Sequence, residues 1–394
     1  MTISRKSLLA LVSGIALFFM LLNNSTIYSA YFDKLSNIFL IIGGAFTILA
    51  SFISKKIFYF QSVKYLLFLL IIFSVPSLIN GVTSSLVYYF LKFTVVLILL
   101  SVMKLNEINI LKILYKVIKI FIIWSLLNYC LSYINFKLPV TNSYPTWWGG
   151  SYNLYLFVFF KNTQVNFTFF SLQITRLHSP FSEPGVAQLF FNYFILYNLF
   201  LNEKNERIWL LIAVMVILLS TSLIGYLILF IIFMVKLFSK RRYLISFIIA
   251  IPIIIVSFIM ICQKLDSISF TDRYADLKFI FESGFNNLPF GIGIGNGQKI
   301  NTKIDASGGG AAGFYSGLFT PIVYLGIFSC LFYYYLYLSI KYFTNNKYAK
   351  FAFCFLILLT LFSEPLSLTL IIAIFFINGI LNKIVCHENN LEVY

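Results

Sequence analysis

The sequence predicts an all-α polytopic membrane protein, with about twelve transmembrane helices and two large loops on one side of the bilayer. Three observations carry that prediction. Of the 394 residues, 60% are apolar and only 11% charged, against roughly 45–50% and 25% in soluble domains. Apolar runs near or above the roughly 20 residues needed to cross a bilayer recur from end to end. Lysine and arginine collect at alternate junctions between those runs, the mark of cytoplasmic loops. The runs are continuous, not short and alternating, which excludes a β-barrel.

Taken in order, the first run, Leu8–Leu22, follows Arg5 and Lys6 and resembles a signal peptide. Asn23-Asn24-Ser25 stands where a small-x-small cleavage site would be, so 7–23 reads as an uncleaved span. Spans follow over 35–54, 58–79, 82–103 and 113–134, with Lys55/Lys56 and Lys112/Lys116/Lys119 at the inner junctions. After a long loop come 186–201, 208–220, 222–239 and 243–262, punctuated by Lys204/Arg207 and Lys240/Arg241/Arg242. The run over 208–220 is short for a bilayer and reads as partly extended or re-entrant. A second long loop precedes 313–338, 348–363 and 366–382, flanked by Lys341, Lys347, Lys350 and Lys383. Basic clusters inside place both termini in the cytoplasm and leave one integral membrane domain over 1–394, with no soluble domain appended.

The formal charge of +16 reflects this positive-inside pattern and attraction to anionic lipid, not a nucleic-acid partner. Five cysteines, Cys130, Cys262, Cys330, Cys354 and Cys386, lie in or beside spans without CxxC or His-Cys spacing. Neither a disulfide framework nor a metal site is indicated.

The two large outer loops run from about Asn135 to Gly185 and from about Gln263 to Ala312; loops longer than about 15 residues are usually functional or disordered. Trp147, Trp148 and many Tyr and Phe in the first argue against disorder. Its segments 151–160 and 165–174 read as aromatic, amphipathic stretches along the interface. Acids gather in the outer loops as Asp33, Glu183, Asp266, Asp272, Asp276, Glu282 and Asp305, while Arg176 and Arg273 are the only arginines there. Arginine's planar fork suits phosphate and stays charged at any relevant pH.

The densest polar segment is Arg176-Leu-His178-Ser-Pro-Phe-Ser-Glu183-Pro184. Two prolines restrict its backbone and Gly185 permits a sharp turn into the next span. Glu183 is a candidate general base at the membrane surface, and His178, already near neutral pKa, is a second. The competing reading has Glu183 capping the helix and pairing with Arg176. In the second loop, Asp272-Arg273-Tyr274-Ala275-Asp276 precedes a run with Gly291, Gly293, Gly295 and Gly297. Alternating glycines let backbone N–H groups approach a ligand, phosphate included, or simply form a flexible turn. Lys92 sits mid-span, where an ionisable residue is a functional hypothesis; a Lys that faces the bundle interior or snorkels is its rival. Glu364-Pro365 reads as a tight outer turn.

These residues resemble a known family. Two large outer loops with an Arg each, Arg-x-x-x-x-Phe-x-Glu-Pro before a span, and Asn-Leu-Pro-Phe-Gly-Ile-Gly-x-Gly resemble the bacterial O-antigen polymerases, grouped with the O-antigen ligases. Leu218–Ser222 resembles the family's Thr-x-Ser-Arg segment, with Leu223 where many members have Arg, and Phe314–Phe328 resembles the span after the second loop. The ligases carry a His before that last span; Ala312-Gly313-Phe314-Tyr315 stands there instead, which favours polymerase over ligase.

The resemblance implies a membrane glycosyltransferase that joins oligosaccharide repeat units carried on undecaprenyl pyrophosphate. It would act at the periplasmic face of the bacterial inner membrane, without cofactor or metal. Arg176 and Arg273 would stabilise the leaving pyrophosphate, and Glu183 or His178 would serve the acceptor hydroxyl. Asp272, Asp276, Gly291, Gly293 and Gly295 would belong to the substrate loop. The implied partners are the lipid-linked glycan, membrane lipid, a chain-length regulator and a flippase. Two alternatives stay open, an O-antigen ligase and a flippase or transporter for lipid-linked glycans. Polarity concentrated in two loops, instead of along a central path, disfavours transport.

Overall fold

The computed structural model describes residues 4–24, 26–54, 74–81, 84–133, 140–145, 151–156, 159–162, 166–169, 172–175, 177, 179–181, 183–204, 206–242, 289–294, 316–364, 366 and 369–391. Helix dominates them. The helices are α1 (Arg5–Leu22), α2 (Ile27–Tyr31), α3 (Asp33–Ser54), α4 (Ser84–Leu105), α5 (Ile110–Tyr133), α6 (Pro184–Phe200), α7 (Arg207–Ser220), α8 (Leu223–Ser239), α9 (Thr320–Leu325), α10 (Ser329–Lys341), α11 (Lys347–Ser363) and α12 (Leu370–Leu391). A further helical segment covers 74–80. Among the described residues, four stretches are long and apolar enough to cross a bilayer: α1, most of α3, most of α4, and Thr320–Lys341 through α9 and α10. The described residues are mostly helical, and their long apolar helices are compatible with a multi-pass membrane protein. The spans expected over 58–79 and 243–262 fall wholly or mostly outside the described residues.

Helix α6 is the axis of the bundle. Every residue from Gly185 to Asn198 is buried, the pattern of a helix enclosed on all sides. It packs against α5, α7, α8 and α11, while α12 lies against α4 and α10. Buried polar groups on α6 must find partners inside the protein. Gln188 donates to Thr360 Oγ1 (3.2 Å), and Asn192 donates to Gln188 Oε1 (3.1 Å) and to Gly225 O (3.2 Å).

Many of the charged side chains pair at one end. Lys6 pairs with Glu107 (3.3 Å), Lys104 donates to Asn382 Oδ1 (2.6 Å), and Lys119 pairs with Glu206. These contacts join the start of α1, the end of α4, the start of α5 and the start of α7 at a common basic end. The basic junctions around Lys6, Lys104, Lys119 and Arg207 therefore share a side. Chain reversals at the opposite end meet the loop that follows α5, so it is called the loop end here. Between α7 and α8 the chain turns there within two residues, through Thr221 in the left-handed region (φ 51°) and Ser222, whose hydroxyl caps α8 by accepting from Gly225 N (3.3 Å). Residues 208–220, expected to be partly extended or re-entrant, are helical throughout.

One expectation needs correcting. Described parts of the first large loop form strands, so the fold is not purely α. Strands β1 (Val140–Pro145), β2 (Ser151–Tyr155) and β3 (Phe159–Asn162) make an antiparallel sheet in that order, and β4 (Asn166–Phe169) pairs with β5 (Leu172–Thr175). Registers run from Tyr152↔Asn162 to Tyr155↔Phe159 and from Asn166↔Thr175 to Phe169↔Leu172. Asn-Phe-Thr-Phe and Leu-Gln-Ile-Thr alternate polar and apolar residues with period two and favour strands by composition. The first sheet is tied to the bundle. Asn128 of α5 donates to Phe160 O (3.0 Å) and accepts from Phe160 N (2.7 Å).

Candidate functional site

The described residues of the polar segment before α6, Leu177 and Ser179–Phe181, are anchored. Leu177 N donates to Leu219 O at the end of α7 (2.9 Å), and Pro180 O accepts from Ile27 N of α2 (3.0 Å). Thr26 and Phe181 form an isolated antiparallel bridge. Leu177, Ser179 and Phe181 are all buried. Phe181 stacks on Phe190 of α6 at 4.2 Å and meets Phe121 of α5 at 5.2 Å. The segment is thus clamped by α2, α5, α6 and α7 just before Glu183. Nearby Tyr28 is buried against Phe160 (5.4 Å), and burial pushes its hydroxyl pKa up, which keeps it neutral.

Glu183 occupies the N-cap position of α6 in an extended conformation (φ −139°, ψ 150°), with Pro184 beginning the helix. Its carbonyl accepts from Val186 N and Ala187 N, both at 3.1 Å. Its half-buried carboxylate makes no capping hydrogen bond. Among the described residues it joins no ion pair. The side-chain capping role considered from sequence is therefore not what Glu183 does.

A second carboxylate reaches the same helix end. Glu364 terminates α11 and is only 4% exposed. A Cβ placed on Gly185 would lie 1.8 Å from Glu364 Oε1 and 2.3 Å from its Cδ, so only glycine fits there. Glu364 O also accepts from Gly317 N (2.9 Å), tying the approach to α9 to this corner. Sequence reasoning treated Glu364-Pro365 as a turn and missed this. The signal was available: Phe-Ser-Glu-Pro occurs twice, at 181–184 and 362–365. Beneath the two glutamates, Thr360, Gln188 and Asn192 continue a buried polar ladder into the bundle.

Gly291 (φ 65°) and Gly293 (φ 79°) do adopt the conformation that favours glycine. Their use is close backbone packing against the α9 corner, where a Cβ on Gly291 would sit 2.6 Å from Gly326 N. Ile292 N donates to Val323 O (2.9 Å), Gly293 N to Tyr324 O (3.0 Å) and Ile294 N to Ser77 Oγ (3.0 Å). Those three amides are engaged within the protein and do not form the open phosphate cradle considered from sequence. Arg176, His178, Asp272, Arg273, Asp276 and Gly295 lie outside the described residues. Lys92 is buried, with its ammonium 4.0 Å from the centre of the Tyr88 ring.

At the basic end, a cavity of about 570 Å³ is bordered by Lys104, Asn109, Tyr197, Asn378 and Asn382. It lies at the opposite ends of α4, α6 and α12 from Glu183 and Glu364, so it is separate from the candidate site. Compared with known proteins, the chain matches no family model, no curated protein and no solved structure.

Proposed function

We propose that this chain is a membrane glycosyltransferase of the O-antigen polymerase kind. It would join oligosaccharide repeat units carried on undecaprenyl pyrophosphate at the outer face of the bacterial inner membrane, with its basic end and both termini in the cytoplasm. The observation that supports this best is the segment anchored at Leu177, Pro180 and Phe181 that ends at Glu183, whose carboxylate makes no capping hydrogen bond and, among the described residues, joins no ion pair. A base must be positioned yet remain available to a hydroxyl, and Glu183 combines an anchored backbone with a carboxylate outside the described ion pairs.

In this reading the acceptor sugar hydroxyl gives its proton to Glu183, with His178 as the other candidate. The hydroxyl oxygen bonds to the donor's anomeric carbon as the carbon–oxygen bond to pyrophosphate breaks. Arg176 and Arg273 stabilise the charge that collects on the departing pyrophosphate. Asp272, Asp276 and Gly295 belong to the substrate loop, Gly291 and Gly293 shape its packed part, and a flippase and a chain-length regulator act alongside. Favouring polymerase over ligase is the missing histidine before the span that begins near residue 313.

The test is complementation of a polymerase-null strain. Wild type should restore full-length polysaccharide. Arg176→Ala, Arg273→Ala and Glu183→Gln, expressed at normal levels, should leave single repeat units on the lipid carrier. Full-length polymer from both arginine variants would sink the assignment. Undiminished chain length from Glu183→Gln would remove Glu183 as the base. In a host deleted for this chain's own gene, polymer made but not transferred to lipid A–core would indicate a ligase, and repeat units stranded inside would indicate a flippase.

A further inference from the structure

Lys92 is the one cation in the middle of α4 and, among the described residues, the one buried lysine, whereas Lys341, Lys347 and Lys383 lie over aromatic rings without being buried. The lysines of the basic end find carboxylates, amides or carbonyl oxygens there, as Lys104, Lys119 and Lys236 do. Lys92 is 6% exposed, and among the described residues its recorded partner is the face of Tyr88. A cation–π contact offsets only part of the cost of holding an ammonium away from water. Intramembrane ionisable residues normally face a partner or a polar path.

The position of the ammonium is informative. Helical side chains lean toward their own N-terminus, and α4 begins at the loop end. Lys92 Nζ lies over Tyr88, four residues closer to that end, which is about 6 Å along a helix. Only about one further turn separates Tyr88 from Ser84, where α4 starts. The charge therefore approaches the loop end from within the bundle, on the same side as Glu183 and Glu364.

Tyr88 is itself held. Its hydroxyl accepts from Asn23 Nδ2 (2.6 Å), and the same amide donates to Ser36 O (2.7 Å) and meets Ser36 Oγ (2.9 Å). Asn24 Oδ1 accepts from Leu370 N (2.8 Å) and adds the start of α12 to the cluster. Asn23 is 1% exposed, and its Oδ1 is buried without a donor. A hydrogen-bonded cluster at the meeting of α1, α3, α4 and α12 thus offers, among the described residues, one buried cation with no counter-charge and one buried acceptor with no donor. A phosphate carried next to a hydroxyl-bearing group supplies both.

We propose that Lys92, with Tyr88 and Asn23 positioning it, forms a binding site for the phosphate anion of a lipid headgroup. This rests on the polymerase reading for the choice of lipid, since a polyprenyl pyrophosphate carrying sugar has the required anion and hydroxyls. An anionic phospholipid headgroup shares that chemistry.

The test uses the full chain in nanodiscs of phosphatidylcholine, titrated with undecaprenyl pyrophosphate, phosphatidylglycerol or undecaprenol while thermal stability is followed. Wild type should be stabilised by undecaprenyl pyrophosphate and not by undecaprenol. Lys92→Met should bind at least about 10-fold more weakly, the scale of one lost charge-assisted contact. Lys92→Arg should stay within about 3-fold of wild type, and both variants should melt like wild type without ligand. Equal binding by Lys92→Met, or no phosphate-lipid binding by wild type, overturns the site. Phosphatidylglycerol binding as tightly, with the same dependence on Lys92, supports the site and assigns it to bulk lipid. The complementation test is independent: polymer made by both Arg176→Ala and Arg273→Ala would end the polymerase reading and leave the Lys92 site standing.

Discussion

The tetrapeptide Phe-Ser-Glu-Pro appears twice in this chain and does opposite work. At 181–184 it starts a helix, with Glu183 before α6; at 362–365 it ends one, with Glu364 after α11. Backbone geometry at the two glutamates is nearly the same, φ −139° and ψ 150° against φ −136° and ψ 143°. Proline forces the residue before it out of the helical region, so that likeness is local. Everything else differs. Phe181 is 2% exposed inside an aromatic cluster, and Phe362 is 48% exposed. Glu183 is half-buried, whereas Glu364 is buried against Gly185. Identical letters set the same kink, and the packing around it sets the role.

The comparison can be broken most forcefully at the residue between the two glutamates. Gly185→Ala drives a methyl group into the Glu364 carboxylate and should cost at least the roughly 1–3 kcal/mol of overpacking, read as lost thermal stability in detergent. Adding Glu364→Ala should recover part of that loss. If Gly185→Ala melts like wild type, the two corners are not in contact.

The phenylalanines give the sharpest contrast. Phe181→Ala should cost about 3–5 kcal/mol, as for a core aromatic, whereas Phe362→Ala should stay within about 0.5 kcal/mol. Equal losses would mean that burial does not separate the two copies. The glutamates should split by phenotype. Glu364→Gln should lower stability by about 0.3–1 kcal/mol, since its carboxylate lies at a helix N-terminus. Glu183→Gln should leave the melting curve unchanged while polymer length collapses in the complementation assay. Thr360→Val removes the hydrogen bond from Gln188 and should cost about 0.6 kcal/mol, measured by the same melts.

Much of this architecture was legible beforehand. The apolar runs predicted most of the described helices to within a few residues, because hydropathy and the need to satisfy backbone groups act locally. The basic clusters predicted a shared end, and Lys6–Glu107 and Lys119–Glu206 join them there. Glu183-Pro184 reads correctly as a helix start because proline suits the first helical position. Less legible were the strands at 140–175, where aromatic segments suit an interface or a sheet equally well. Gly291 and Gly293 were legible as special backbone positions, but not as packing against Gly326. Glu364 was the largest omission, because a turn beside a membrane is an ordinary place for a carboxylate.

By itself, then, the sequence determined a mostly helical chain with helices long and apolar enough to cross a membrane, the approximate ends of most described helices and the extended backbone at both Glu-Pro pairs. Each follows from forces acting over a turn or a span: hydropathy, capping and the sterics of proline. Only the tertiary structure decided that Glu364 meets Gly185 at the start of α6, that Phe181 is buried where Phe362 is not, and that Lys92 lies over Tyr88. Those outcomes depend on which helices pack together, and contacts between distant segments leave no mark in the local pattern that proline and hydropathy write.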